Sequence, residues 1–250
     1  MKKTLAVMAM CLVLVTCKDK PQVAFKVEEK DLIPEGIAWS ERNNTFYLSS
    51  IHKSKILQIN ARTGEYKNFI DPAEHGFLPG IGLITDDDAN LLYAIGSTDQ
   101  VDHQATGLFV FDMGDKSLVN RLMLDTLGNH FLNDLTLDSQ KNIYITDSKN
   151  SNIYHYHPDS NRLSLFLEDE EIRHPNGITI SPDASILYIA SHVNGIRIYE
   201  LATGKFLNDR DTTDRSKGID GLKYYKNRLI GIQNGYRESV RVLEFTLDES

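Results

Sequence analysis

Asn176-Gly177-Ile178-Thr179-Ile180-Ser181-Pro182-Asp183 is the stretch that decides the fold. An oxygen-bearing residue and a small residue open a short apolar strand, which stops at a turn. Then come Ile186-Leu187-Tyr188-Ile189, Ile196-Arg197-Ile198-Tyr199 and a last turn at Ala202-Thr203-Gly204-Lys205. Short apolar and alternating runs between Asp, Asn, Ser and Gly clusters are strand and hairpin signals. The same opening recurs as Glu35-Gly36-Ile37, Asn133-Asp134-Leu135 and Asp220-Gly221-Leu222, and Ile81-Gly82-Leu83 keeps the frame without the polar residue. A period of roughly 40–50 residues with several short strands per repeat is how propeller blades look in sequence. Equivalent positions in repeats set around an axis form a ring. Glu35, Asn133, Asn176 and Asp220 are therefore expected to cluster as oxygen ligands on that axis.

The remaining repeats follow the same grammar. The third runs Leu135 to Leu137, Asn142 to Thr146, Asn152 to Tyr156 and Leu163 to Leu167, and the second carries an insertion at Ser97 to Thr106. No amphipathic helical pattern of useful length follows residue 20. The expected class is all-β, a β-propeller over residues 31–250. Five first-strand motifs are evident, and the fifth repeat lacks its outermost strand. Either Val23 to Val27 completes that blade and closes a five-bladed ring, or the ring is of the six-bladed type with its sixth blade missing or incomplete. The second reading is the one expected here.

Residues 1–16 read as a signal peptide. Met1-Lys2-Lys3 is a basic start, and the apolar run Leu5 to Val15 is too short to span a bilayer. Leu14-Val15-Thr16-Cys17 resembles a lipoprotein signal box, with Thr16 where Gly, Ala or Ser is usual. Lipidation at Cys17 would tether the chain to a bacterial membrane, outside the cytoplasm, through residues 17–30; the alternative is a soluble periplasmic protein. Cys11 would leave with the signal, so no disulfide is expected. The net charge of −8 argues against nucleic acid as a partner. Asp86-Asp87-Asp88 and Glu168-Asp169-Glu170-Glu171 read as solvated loops.

Pro34-Glu35-Gly36-Ile37-Ala38-Trp39, Asn133-Asp134, His174-Pro175-Asn176-Gly177-Ile178 with Ser181-Pro182-Asp183, and Asp220-Gly221-Leu222 resemble the signature positions of the gluconolactonase/regucalcin family of six-bladed, calcium-dependent propellers. The resemblance covers about residues 31–245. It implies that Glu35, Asn176 and Asp220 are metal ligands, and that Asn133 is a ligand or contacts the substrate beside the metal. Sugar lactonases of the family carry an Arg two residues before the Asn matching Asn133. Phe131 stands there instead, which suggests a less polar pocket.

The chemistry agrees with that implication. A hard divalent cation such as Ca²⁺ takes about six to eight oxygen ligands, mixing carboxylates with neutral amide oxygens and water. Glu35 and Asp220 supply two negative charges, and the Asn residues add oxygens without charge. No soft ligand is present, so zinc is not expected. Asp220 doubles as a possible general base. His130 is a second candidate base, with His52, His174 and His192 on nearby loops. Trp39 is expected to pack between blades. No Ser/His/Asp nucleophile motif and no glycine-rich phosphate loop is found. Two functions of different classes follow: a metal-dependent hydrolase of a lactone or related ester, or a non-catalytic propeller that binds a ligand or protein partner.

Overall fold

A computed structural model describes residues 23–100, 103–124, 129–207, 216–234 and 240–247. The described strands form five antiparallel sheets, each a meander in chain order. The first blade is β1 (Pro34–Ser40), β2 (Thr45–Ser50), β3 (Lys55–Asn60) and β4 (Tyr66–Ile70). The second is β5 (Gly80–Asp86), β6 (Leu91–Gln100), β7 (His103–Asp112) and β8 (Leu118–Met123), so the insertion simply lengthens the central hairpin. The third is β9 (Leu132–Leu137), β10 (Ile143–Asp147), β11 (Asn152–His157) and β12 (Arg162–Glu168). The fourth is β13 (Pro175–Ile180), β14 (Ile186–Ser191), β15 (Gly195–Glu200) and β16 (Lys205–Phe206). The fifth has three described strands, β17 (Ile219–Tyr224), β18 (Arg228–Gln233) and β19 (Arg241–Thr246).

The hairpins bend where the sequence supplies a residue for the left-handed region. Between the first two strands of successive blades that residue is Asn44, Asn90, Lys141, Ala184 and Asn227, each with φ between 47° and 68°. Gly64 and Gly204 do the same before the outer strands, at no steric cost.

The core lies between blades. Tyr47, Ile56 and Phe69 of the first blade meet Leu92, Phe109 and Phe111 of the second, and like clusters join the second to third, third to fourth and fourth to fifth. First strands pack side by side, β1 on β5, β5 on β9, β9 on β13 and β13 on β17, with no comparable packing of β17 on β1 among the described residues. The glycine of the repeated motif is there for this approach. A Cβ on Gly36 would sit 2.2 Å from the Ile81 carbonyl oxygen, one on Gly82 2.5 Å from that of Asn133, and one on Gly177 2.5 Å from the Leu222 amide.

Four expectations need correction. Val23–Val27 forms no strand and pairs with no blade edge. Instead Phe25 lies 5.6 Å from Phe46 and Glu29 is held by Lys53 and Lys55, which draws this segment onto the first blade. Trp39 is not buried between blades: it is 41% exposed, its ring 4.6 Å from Phe46 of the same blade. Asp86 is buried, takes the Asp88 and Ala89 amides and pairs with Lys141 at 2.7 Å, so it staples two blades. Asp169 accepts the hydroxyl of buried Tyr199 at 2.9 Å and serves the same end.

Candidate functional site

Every blade carries a break in register between its first two strands, and the break falls on the repeated motif. It lies between Pro34 and Ile37, Gly80 and Leu83, Pro175 and Ile178, and Ile219 and Gly221, and opposite the motif in the third blade between Ile145 and Asp147. A bulge re-aims a side chain that regular pleating would point elsewhere. Glu35, Asn133, Asn176 and Asp220 consequently border one cavity of ≈ 420 Å³, with Ile81 at the phase that lacks an oxygen.

Buried hydroxyls hold the bulges in place. Ser49 Oγ accepts the Gly36 amide at 2.8 Å and donates to the Ile81 carbonyl at 2.5 Å. Thr146 Oγ1 accepts the Asp134 amide at 3.0 Å and donates to the Asn176 carbonyl at 2.8 Å. Each hydroxyl thus ties one blade's motif to the next.

The side chains of the ring are already oriented. Asn176 Nδ2 donates to Asp220 Oδ1 at 2.6 Å, and Asn234 Nδ2 donates to Asp220 Oδ2 at 3.2 Å. Asn133 Nδ2 donates to Ser148 Oγ at 2.9 Å, which leaves its amide oxygen as the free end. Burial pushes the Glu35 carboxyl above the ordinary Glu range, and the negative charge of Asp220 adds to the shift. Glu35 is nevertheless exposed at the rim, so solvent screens much of this effect. Burial also raises Asp134, against the opposing pull of Lys223 and of the Leu135 and Ile178 amides. The site therefore sets more carboxylates than cations beside neutral amide oxygens. That donor set suits a hard divalent cation. Among the described residues no three His, Cys, Asp or Glu side chains converge into a metal-holding group, so any cation here would lean on the amides.

His130 sits elsewhere. Its Nδ1 lies 2.5 Å from Asp147 Oδ2, and Asp147 Oδ1 accepts the Phe131 amide at 3.0 Å. Other blades make an equivalent staple from the end of the second strand to the loop before the first. Ser50 Oγ donates to the Leu32 carbonyl, Ser191 Oγ to that of Arg173 and Gln233 Nε2 to that of Lys217. His130 occupies the staple position of the third blade and does not border the cavity, nor do His52, His174 or His192. Phe131 packs against the cluster between blades two and three instead of facing the ring. Sequence reasoning missed Asn234, Asp134, Lys223 and the hydroxyls. Asp134 alone carried a signal, since it replaces the motif's usual glycine.

Blades of antiparallel strands around an oxygen-lined axial cavity define a β-propeller with a candidate ligand site at its hub. The SMP-30/Gluconolactonase/LRE-like region matches residues 33–226, and the chain belongs to that family. No curated protein matches the chain. Among solved structures, a gluconolactonase from Xanthomonas campestris is similar with TM-score 0.66 and 18% identity, over 87% of this chain and 77% of that one. A regucalcin from Agrobacterium tumefaciens, described as a calcium-binding protein, gives 0.64 and 20%, over 86% and 75%. A chain from a nidogen/laminin complex gives 0.64 and 18%, over 81% and 73%. At these identities the likeness supports the fold alone.

Proposed function

We propose that the protein is a divalent-cation-dependent hydrolase of a lactone or related ester, with Ca²⁺ held by Glu35, Asn133, Asn176 and Asp220. One observation carries this reading: four oxygen-bearing side chains from four blades border one cavity. Family membership supports it, as do the gluconolactonase and regucalcin folds.

When bound, the cation supplies Lewis-acid polarisation of the substrate carbonyl. The chain's own residues do the rest. Asn176 and Asn234 pin both Asp220 oxygens, so this carboxylate keeps one orientation as it takes a proton from the attacking water. Ile37, Ile81, Leu83 and Leu222 on the walls exclude bulk water from the reacting carbonyl. His130 is the weaker candidate base, because Asp147 and the staple already engage it.

Two further readings belong to the same proposal. Among the described residues β17 and β1 do not pack as the other neighbouring first strands do, which fits a ring of the six-bladed type. Export with lipidation at Cys17, which lies outside the described residues, would tether the propeller to a membrane. Mass spectrometry of the mature N-terminus tests the anchor: a free thiol on Cys17, or cleavage beyond it, refutes lipidation.

For the activity, hydrolysis of a panel of lactones is followed by pH-stat before and after chelation. The proposal expects turnover that chelation abolishes and calcium restores. Calcium binding without turnover on any lactone or ester would assign the ring to a binding propeller instead.

A further inference from the structure

Lys223 follows Asp220 by three residues on β17, and the same phase in the other blades carries Ala38, Ile84, Thr136 and Thr179. It is the one charged residue at that level of the hub. Its side chain is 53% exposed and borders the ring cavity. It also borders a second cavity of ≈ 520 Å³ lined by the downstream ends of the same first strands.

Its ion-pair partner among the described residues is Asp134 Oδ2, at 3.9 Å. That is beyond hydrogen-bond range. Asp134 has other partners: its carboxylate accepts the Leu135 amide at 2.9 Å and the Ile178 amide at 3.2 Å. Among the described residues the ammonium has this one loose ion pair and no side-chain hydrogen bond, so its donors are available to another acceptor.

Charge decides what that acceptor is. Glu35, Asp134 and Asp220 put three carboxylates around the cavity, against one ammonium. A divalent cation would bring the site to neutrality; with Lys223 removed, the same site would keep a net negative charge and repel an anion. We infer that Lys223 is a specificity-determining residue that receives a carboxylate carried by the substrate, so that the preferred class is an anionic lactone. This inference rests on the lactonase reading of the ring, and it assigns the site a substrate class.

The test compares β-carboxy-γ-butyrolactone with β-methyl-γ-butyrolactone on calcium-loaded wild type, Lys223→Met and Lys223→Arg. A hydrogen bond to a charged group corresponds to about tenfold or more in preference. Wild type should favour the carboxylated lactone in kcat/KM by that factor, Lys223→Arg should keep most of it, and Lys223→Met should lose it. Equal losses on both lactones in Lys223→Met would mean that the lysine is only a counter-ion for Asp134, and would overturn the inference. Lys223→Gln replaces Lys223→Met should the latter fail to fold.

A binding readout separates this inference from the lactonase reading. Glutarate and butyrate are titrated calorimetrically into the calcium-loaded protein. Should wild type hydrolyse neither of these lactones nor any other lactone or ester of the panel, the lactonase reading fails. Tighter glutarate binding that Lys223→Met abolishes would still uphold the anion site. Equal affinities, or no binding of either, would overturn it.

Discussion

Glu35→Gln is the substitution on which the ring can be judged quantitatively. The carboxyl sits above its ordinary range because burial disfavours its charge and Asp220 repels it. The sign follows directly. Below the unfolded pKa both states are protonated and the shift has no effect; as pH rises through the window between the two values, the folded state holds more protons and the cation-free protein loses stability. A bound cation removes that penalty, so its affinity must fall as pH drops through the raised Glu35 value. Replacing Glu35 by Gln removes one of two ligand charges. Removing one partner of a buried ion pair costs about 3–5 kcal/mol. Because Glu35 is exposed, the loss lies nearer the solvent-screened limit of about 1 kcal/mol, or roughly fivefold in Kd. Isothermal calorimetry with calcium at several pH values is the assay. Wild type should bind with an affinity that weakens toward acid pH, and Glu35→Gln should bind more weakly with a flatter pH response. Its cation-free form should melt no lower than wild type. Equal calcium affinity in the two proteins would refute the reasoning.

Three other substitutions probe how the ring is held and used. Thr146→Val leaves the Asp134 amide and the Asn176 carbonyl without their shared hydroxyl, which should cost about 1–3 kcal/mol in denaturant unfolding and weaken calcium binding as well; unchanged stability would contradict the bridge. Gly36→Ala puts a Cβ 2.2 Å from the Ile81 carbonyl and should destabilise by about 3 kcal/mol or more, or prevent folding, as circular dichroism would report. Asp220→Asn should lower kcat on a responsive lactone by at least about 100-fold, while His130→Gln should cost far less; the reverse order would make the His130–Asp147 pair the base.

The blades were legible because two strong signals coincide. Short apolar and alternating runs such as Ile143 to Thr146, bounded by turn residues, read as strands, and Asn44, Asn90 and Asn227 mark three of the hairpins where they fold back. The hub was legible because repetition puts equal phases at equal depth, which brought Glu35, Asn133, Asn176 and Asp220 to one cavity. The bulges were not legible, since a register break belongs to a strand pair and leaves no mark in either strand alone. Ser49 and Thr146 were missed for a related reason: a hydroxyl in a strand looks the same whether it faces water or bridges one blade's amide to the next blade's carbonyl. Asp86 was read as solvated because a run of three aspartates resembles a loop, yet burial follows from Lys141 on the neighbouring blade, far away in sequence. Val23–Val27 has the composition of a strand, but its outcome depends on Glu29 finding Lys53 and Lys55.

The most direct test is a crystal structure of the full chain grown with calcium, with the ion located by its anomalous signal. The account predicts one ion at the hub with oxygens of Glu35, Asn133, Asn176 and Asp220 about 2.3–2.6 Å away. Calcium bound elsewhere while that cavity holds only water would contradict it.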